Sequence, residues 1–129
     1  MNQILIVDDS PTIRRMVKTS LSRLGDAGKF IEAASGLEAI ERLALGEIEL
    51  VVLDLNMPDM HGLEVLGFIR SHQKYSRVPI IILTTRGDDA SRTAALQAGA
   101  SAYMTKPFSP DALVAQARQL LGQNTEASR

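Results

Sequence analysis

The stretch ILIVDDSPTIRRMVKTSLSRLG, residues 4–25, places a short apolar run directly before a run with helical spacing. Residues 4–7 are Ile, Leu, Ile and Val, which is typical of a strand buried on both faces. Ser10 and Pro11 suit the first turn of a helix, and Gly25 suits its end. The apolar side chains between them recur every three or four positions, as on one buried helix face: Ile13, Met16, Val17, Leu21 and Leu24. A strand followed by a helix is therefore predicted.

The same unit recurs along the rest of the chain, so that strand and helix alternate five times. Parallel strands need connections long enough to return across the sheet, and such crossovers are right-handed. This order predicts one doubly wound α/β domain over residues 1–122, followed by a polar tail over residues 123–129. A closed eight-stranded barrel would need roughly twice the length. The later strands are predicted at residues 29–33, 49–53, 79–83 and 100–105, and the later helices at residues 37–45, 63–71, 89–98 and 110–121.

The amino-acid composition narrows the kinds of binding partner and the cellular compartment that we expect for the protein. The chain has no cysteine, which excludes disulfides and thiolate metal sites and is compatible with a reducing compartment. Fourteen basic residues against fifteen acidic ones give a net charge of -1 with the signs interspersed, so no surface for nucleic acid is expected. The first apolar run is too short for a signal peptide or a membrane span. We expect a cytoplasmic protein that binds neither nucleic acid nor membrane.

Polar residues that could carry chemistry follow the predicted strands at their carboxyl ends, where open α/β sheets bind ligands. Three carboxylates held together repel one another unless a pKa rises or a cation binds. Oxygen ligands without His or Cys favour a hard ion, Mg2+ or Mn2+, which pairs naturally with a phosphate group. Lys106 and Thr84 could each donate to the oxygens of a phosphoryl group. Asp54, in the central strand, is the natural nucleophile. These residues are Asp8, Asp9, Asp54, Thr84, Thr85 and Lys106.

The same residues form the pattern of a known family. It comprises an acidic pair after the first strand, an aspartate in a D-x-x-M-P-x-x-x-G setting after the third, a threonine after the fourth and Lys-Pro after the fifth. Across residues 3–122 the chain resembles the receiver domains of two-component response regulators, particularly stand-alone chemotaxis regulators. The resemblance implies a flavodoxin-like five-stranded sheet of order 2-1-3-4-5. The matching residues are Asp8-Asp9, Asp54-Leu55-Asn56-Met57-Pro58 with Gly62, Thr84 and Lys106-Pro107-Phe108.

The resemblance also implies a mechanism. Asp54 would accept a phosphoryl group from a histidine kinase or a histidine phosphotransfer protein. Asp9, Asp54 and the main-chain carbonyl of Asn56 would bind Mg2+ directly, and Asp8 would bind it through water. Lys106 would pair with the phosphate and would form a cis peptide bond with the following proline.

The resemblance also implies a conformational switch and a set of residues that control the lifetime of the phosphoryl group. The hydroxyl of Thr84 would move to the phosphate and Tyr103 would fill the vacated space, which would change the face of the fourth helix, fifth strand and fifth helix. Asn56, Thr85 and Arg86 would influence how long the phosphoryl group survives. Taken singly, each of these residues has a structural explanation, such as a cap, a turn or a half-buried aromatic. Only their joint placement favours function.

Several functions stay open. The leading expectation is a stand-alone monomeric messenger that acts on a protein such as the flagellar motor switch and has no enzymatic activity beyond its own phosphorylation and dephosphorylation. Alternatives are a phosphorelay intermediate, a phosphate sink, a non-phosphorylated scaffold or a piece of a longer protein. A haloacid dehalogenase-type phosphatase is disfavoured because it needs an acid where this chain has Asn56. A flavin protein is disfavoured because the acids of residues 8–11 would repel a phosphate. The basic residues Arg14, Arg15, Lys18 and Arg23 are expected on a solvated helix face that could dock a phosphotransfer helix.

Overall fold

A computed structural model describes residues 3–25 and 29–127, with side chains to residue 122. Within these residues, five strands and five helices alternate as predicted, and a short 3-10 helix, Ser22–Leu24, follows the first helix. The strands are β1 Gln3–Val7, β2 Lys29–Ala33, β3 Leu50–Leu53, β4 Ile80–Thr84 and β5 Ala102–Thr105. The helices are α1 Pro11–Leu21, α2 Gly36–Leu45, α3 Gly62–Ser71, α4 Asp89–Gln97 and α5 Pro110–Ala127.

The strands form one parallel sheet in the order β2-β1-β3-β4-β5, which confirms the predicted doubly wound topology. Alternate residues of β1 enter two different cores, because successive side chains of a strand point to opposite faces. Leu5 and Val7 pack with α2 and α3, whereas Ile4 and Ile6 pack with α1 and α5. Helices therefore cover both faces, which is why the strand sequences are almost uniformly apolar.

The predicted start of α1 is confirmed, whereas α1 itself ends at Leu21 and the 3-10 helix carries the chain to the predicted stop at Gly25. The Oγ atom of Ser10 accepts the backbone N–H of Ile13 at 3.2 Å, and Pro11 is the first helical residue. Gly25 ends the 3-10 turn with a φ of 86°, in the left-handed region that glycine enters without a steric cost.

The fifth helix is longer than predicted, since it continues to Ala127 instead of ending near residue 121. Most of the predicted polar tail thus continues the helix in the described backbone, while residues 128 and 129 lie outside the described residues. The division of the chain into a domain over 1–122 and a tail stays a prediction. Among the described residues, no helix combines the length and apolar character needed to cross a bilayer.

Candidate phosphoryl-acceptor site

The register of the sheet brings the acidic residues together. Val7 of β1 is aligned with Leu53 of β3, and the backbone N–H of Asp54 donates to the carbonyl of Val7 at 3.0 Å. One carboxylate oxygen each of Asp8, Asp9 and Asp54 lies within 4.8 Å of the others. Asp8 and Asp54 are buried and Asp9 is exposed. These three residues, the acidic cluster, thus converge at the carboxyl edge as the sequence predicts.

Lys106 joins the acidic cluster from β5. Its Nζ atom lies 2.6 Å from Oδ2 of Asp8 and 3.4 Å from Oδ2 of Asp54. The backbone N–H of Lys106 donates to the carbonyl of Thr84 at 2.8 Å, which fixes the start of the loop after β5. The Lys106–Pro107 peptide bond is cis, as the family resemblance implies. The described site therefore holds one ammonium group against three carboxylates.

This excess of negative charge suits a hard divalent cation. The Oδ1 atom of Asp54 is buried and has no hydrogen-bond partner among the described residues. Buried polar atoms without a partner are rare, and a bound ion is one of the partners that would satisfy this oxygen. The three candidate ligands all offer oxygen, as Mg2+ and Mn2+ prefer. The residues present therefore fit such an ion.

Burial raises the pKa of Asp8 above its ordinary value of 3.8. Hydrogen bonds from Lys106 and from the backbone N–H of Ser10, at 2.9 Å, act in the opposite direction, and the charge of Asp54 adds to the rise. Because the folded state holds this proton more tightly than the unfolded chain does, the group favours folding below its ordinary pKa. That contribution is lost as the pH rises through the raised pKa.

Asp8→Asn is therefore expected to stabilise the cation-free protein at neutral pH, by roughly 0.5–2 kcal/mol. The gain should shrink as the pH is lowered, because the raised pKa leaves the native carboxyl increasingly protonated and therefore neutral. Urea unfolding followed by circular dichroism, in a chelator and over a series of pH values, measures both effects. A variant less stable than the native protein at neutral pH would show that the pairing with Lys106 outweighs the cost of burial.

Polar side chains from two loops meet beside the acidic cluster. The Nδ2 atom of Asn56 lies 3.4 Å from Oγ1 of Thr84 and 3.3 Å from Oγ1 of Thr85. The Nε atom of Arg86 donates to Oδ1 of Asn56 at 2.8 Å. The three residues assigned to phosphate lifetime, Asn56, Thr85 and Arg86, thus form one hydrogen-bonded group with Thr84.

Tyr103 of β5 is buried beneath the loop that follows β4. Its hydroxyl donates to the carbonyl of Arg86 at 2.6 Å, and the guanidinium of Arg92 lies 5.8 Å from the centre of its ring. Burial raises the pKa of the Tyr103 phenol, and the charge of Asp88 adds to the rise. The residue thus touches the loop that carries Arg86, while its role in a switch stays a prediction.

Residues 4–118 match the model of the response regulator receiver domain. The chain belongs to that family. This receiver domain is 42% identical over 123 residues to the chemotaxis protein CheY1 of Helicobacter pylori, with 95% of the chain and 98% of the relative covered. It is 41% identical over 121 residues to a chemotaxis protein CheY homologue of Campylobacter jejuni, with 93% and 92% covered.

A solved structure agrees with these relatives. The chemotaxis response regulator CheY4 of Vibrio cholerae superposes with a TM-score of 0.84 at 32% identity, and 93% of the chain and 98% of that protein are covered. The family places the receiver domain in two-component signal transduction, whose receivers interact with histidine kinases and with downstream targets. Receivers bind Mg2+ at an acidic pocket, and the acidic cluster is a group of carboxylates here that could hold such an ion.

One expectation about α1 is wrong, because Arg14 does not lie on a solvated face. Its side chain is only 16% exposed and its Nε atom donates to Glu32 at 2.8 Å, while Lys18 pairs with the same carboxylate at 3.0 Å. The NH1 group of Arg14 also donates to the carbonyl of Asp8 at 2.6 Å. Hydrogen bonds from Lys18 and then Arg14 lower the pKa of Glu32. Arg14 therefore ties the backbone of the acidic cluster to β2.

A second residue that sequence reasoning missed is Asp59, in the loop between β3 and α3. Its Oδ1 atom accepts the N–H of Gly36 and its Oδ2 atom the N–H of Leu37, each at 3.0 Å. These two bonds, the one from Leu37 first, lower the pKa of Asp59. Asp59 also lines a cavity of about 460 Å³ at the mouth of the site, together with Asp9, Leu55, Asn56, Met57, Pro58, Met60, His61 and Arg86.

Proposed function

We propose that Asp54 of this receiver domain accepts a phosphoryl group, either from a phosphohistidine on a histidine kinase or phosphotransfer protein or from a small acyl phosphate. The proposal rests on the surroundings of the Asp54 carboxylate. This carboxylate is buried, and its Oδ2 atom lies 3.4 Å from the Lys106 ammonium. Oxygens of Asp8 and Asp9 lie within 4.8 Å of one of its oxygens. Its Oδ1 atom has no hydrogen-bond partner among the described residues. These surroundings favour a positive charge next to the Asp54 carboxylate, and they leave one of its oxygens able to form a new bond.

The proposed step balances without a further reactant. A carboxylate oxygen of Asp54 bonds to phosphorus while the bond from phosphorus to the donor imidazole nitrogen breaks. The bonding electrons stay on that nitrogen, and the imidazole leaves as a neutral ring because its other nitrogen already carries a proton or because the departing nitrogen takes one from water. With an acyl phosphate donor, the bond from phosphorus to the acyl oxygen breaks instead and a carboxylate leaves. Lys106 pairs with the phosphoryl oxygens, and the hydroxyl of Thr84 donates to one of them. Both side chains lie at the same sheet edge as Asp54, so neither has to cross the molecule.

The residues proposed to hold Mg2+ or Mn2+ are Asp9, Asp54 and the main-chain carbonyl of Asn56 directly, with Asp8 acting through water. When bound, the ion would neutralise charge on the phosphoryl oxygens. Within the hydrogen-bonded group beside it, Asn56, Thr85 and Arg86 would control access of water to the phosphoaspartate.

The output is proposed to be a changed protein-binding surface formed by α4, β5 and α5. Movement of Thr84 toward the phosphate would open space for Tyr103, whose hydroxyl would leave the carbonyl of Arg86. New phosphate bonds would thus bias a choice between two packed arrangements. No catalytic activity toward other molecules is proposed beyond self-phosphorylation and loss of the phosphoryl group.

Chemotaxis is the pathway that the relatives favour. Those that cover the whole domain at about 41% identity are chemotaxis proteins, so a monomeric cytoplasmic messenger is proposed, with a downstream protein target such as the flagellar motor switch. A relay intermediate, a phosphate sink or an unphosphorylated scaffold would use the same fold with a different partner or none.

The decisive test is incubation with acetyl phosphate, with and without Mg2+, followed by measurement of the intact mass. We expect one phosphoryl group per chain that requires Mg2+ and is absent from Asp54→Asn. Asp111→Asn is a matched control, because Asp111 is exposed at 84% of its side chain and pairs with Arg23 outside the site. It should be phosphorylated like the native protein.

Two results would contradict the proposal. An adduct that persists in Asp54→Asn would place the acceptor elsewhere. Failure of the native protein to react with both acetyl phosphate and a phosphohistidine donor would favour the scaffold.

A further inference from the structure

The loop between β3 and α3, residues 55–61, is fastened to the rest of the fold away from the acidic cluster. At its base, the N–H of Gly62 donates to the carbonyl of Leu55 at 2.9 Å. At its far side, the two oxygens of Asp59 accept the N–H groups of Gly36 and Leu37 at 3.0 Å each. These amides belong to the first turn of α2 and have no partner within that helix. One carboxylate thus holds the loop to another element.

Packing at the next residue reinforces this attachment. A Cβ atom built on Gly36 would lie 2.8 Å from Cβ of Met60, closer than Cβ atoms approach, so the Met60 side chain packs tightly against the backbone of Gly36. Pro58 stands between Asp59 and the residues nearer the site, and its ring fixes one of the two soft backbone angles at that position. The segment from Asn56 to Met60 is therefore short, stiff and anchored at its far end.

Asp59 lies outside the acidic cluster, and its carboxylate binds the first turn of α2. It lines the same cavity as Asp9 and Asn56, but both of its oxygens already accept backbone N–H groups. The carboxylates that approach one another within ligand range among the described residues are those of Asp8, Asp9 and Asp54. Apart from the through-space effect of its charge, Asp59 can influence the cation through the position of the loop.

We infer that Asp59 is a positioning residue for the cation: by holding residues 55–61 against the first turn of α2, it sets how tightly the acidic cluster binds Mg2+. The inference rests on the proposed function, in which the carbonyl of Asn56 is a ligand. Without the two bonds to α2, the loop samples more conformations and that carbonyl must be ordered when the ion binds. The entropy lost in this ordering weakens the affinity.

The test is an amide NMR titration of the native protein and Asp59→Ala with Mg2+, beside hydrogen exchange at Gly36 and Leu37. We expect the Kd for Mg2+ to rise roughly tenfold, as when groups that orient metal ligands are removed. Exchange at the two α2 amides should quicken. Asp59→Asn keeps one acceptor oxygen and should give an intermediate Kd, which also covers the case in which the alanine variant does not fold.

Two controls separate positioning from simpler effects. Asp88→Ala removes the same charge and the same kind of cap, since Asp88 accepts the N–H of Ser91 at 3.0 Å at the start of α4. Ser35→Ala removes the other cap of α2, a 3.1 Å bond from the N–H of Glu38, without touching the loop. Both should keep the Kd within about twofold of the native value.

The possible outcomes are distinct. A native Kd in Asp59→Ala or Asp59→Asn overturns the inference but leaves the proposed function standing. Equal weakening in either control overturns it too, because charge or helix fraying then accounts for the effect. Absence of Mg2+ binding in the native protein refutes the cation site on which both depend.

Discussion

Lys106→Met is expected to lower the free energy of unfolding of the cation-free protein by about 3 kcal/mol, the lower end of the range for removing one partner of a buried ion pair. The Lys106 side chain is 11% exposed and lies within 3.4 Å of carboxylate oxygens of both Asp8 and Asp54, whose side chains are 4% and 5% exposed. Methionine fills similar volume, so the loss reports charge and not a cavity. Two buried carboxylates would be left without the ammonium group that both of them contact.

Mg2+ should restore much of this loss, because a divalent ion in the acidic cluster replaces the missing positive charge and binds only the folded state. Urea unfolding in a chelator and in saturating Mg2+ measures the difference. Lys18→Met is the control, since Lys18 pairs with Glu32 on the surface at 43% side-chain exposure and should change stability by less than about 1 kcal/mol in either condition. An equal loss with and without Mg2+ would show that Lys106 acts through packing instead of charge.

The opposite effects expected at Asp8 and Lys106 have one cause. Among the described residues the site brings three carboxylates against one lysine, so removing an acid relieves repulsion and removing the lysine increases it. A site built only for stability would not keep this imbalance. The imbalance suits a divalent cation, whose binding is expected to restore the stability.

The strands and their order of succession were predictable because burial on both faces leaves a run of apolar residues that needs no long-range information. The acidic cluster was predictable for a related reason: Asp8 and Asp54 directly follow such runs, and parallel strands place their carboxyl ends at one edge. The strand order itself came from the family resemblance. The end of α5 was misplaced because apolar periodicity stops near residue 121 while polar residues continue the helix to Ala127.

Arg14 was wrongly placed on a solvated face and Asp59 was missed, both for a different reason. Arg14 reaches Glu32 across 18 positions, and Asp59 reaches Gly36 and Leu37 across 23 and 22. No local pattern marks such contacts, since an arginine on a helix and an aspartate after a proline are both ordinary on a surface or in a turn. Only the folded arrangement shows that each is bound to backbone beside the site.

Gly62→Ala should lower the free energy of unfolding by about 3 kcal/mol, at the upper end of the usual cost of overpacking. Gly62 is the first residue of α3, and a Cβ atom there would lie 2.5 Å from the carbonyl oxygen of Asp54 and 2.5 Å from Cα of Leu55. Both neighbours are backbone atoms, so no side chain can turn aside. The strand end that carries Asp54 would have to move, and Mg2+-dependent phosphorylation should fall with stability.

Gly67→Ala in the same helix separates this clash from the general effect of alanine. Nothing lies within 4 Å of a Cβ built on Gly67. The residue is exposed to solvent and lies in the middle of α3, away from both helix ends. Alanine should stabilise the protein there by about 0.5–1 kcal/mol, because glycine loses more backbone entropy on folding. Urea unfolding of the two variants therefore should give shifts of opposite sign. If Gly62→Ala were as stable as Gly67→Ala, the glycine of the D-x-x-M-P-x-x-x-G pattern would not be required by contact with the acceptor strand.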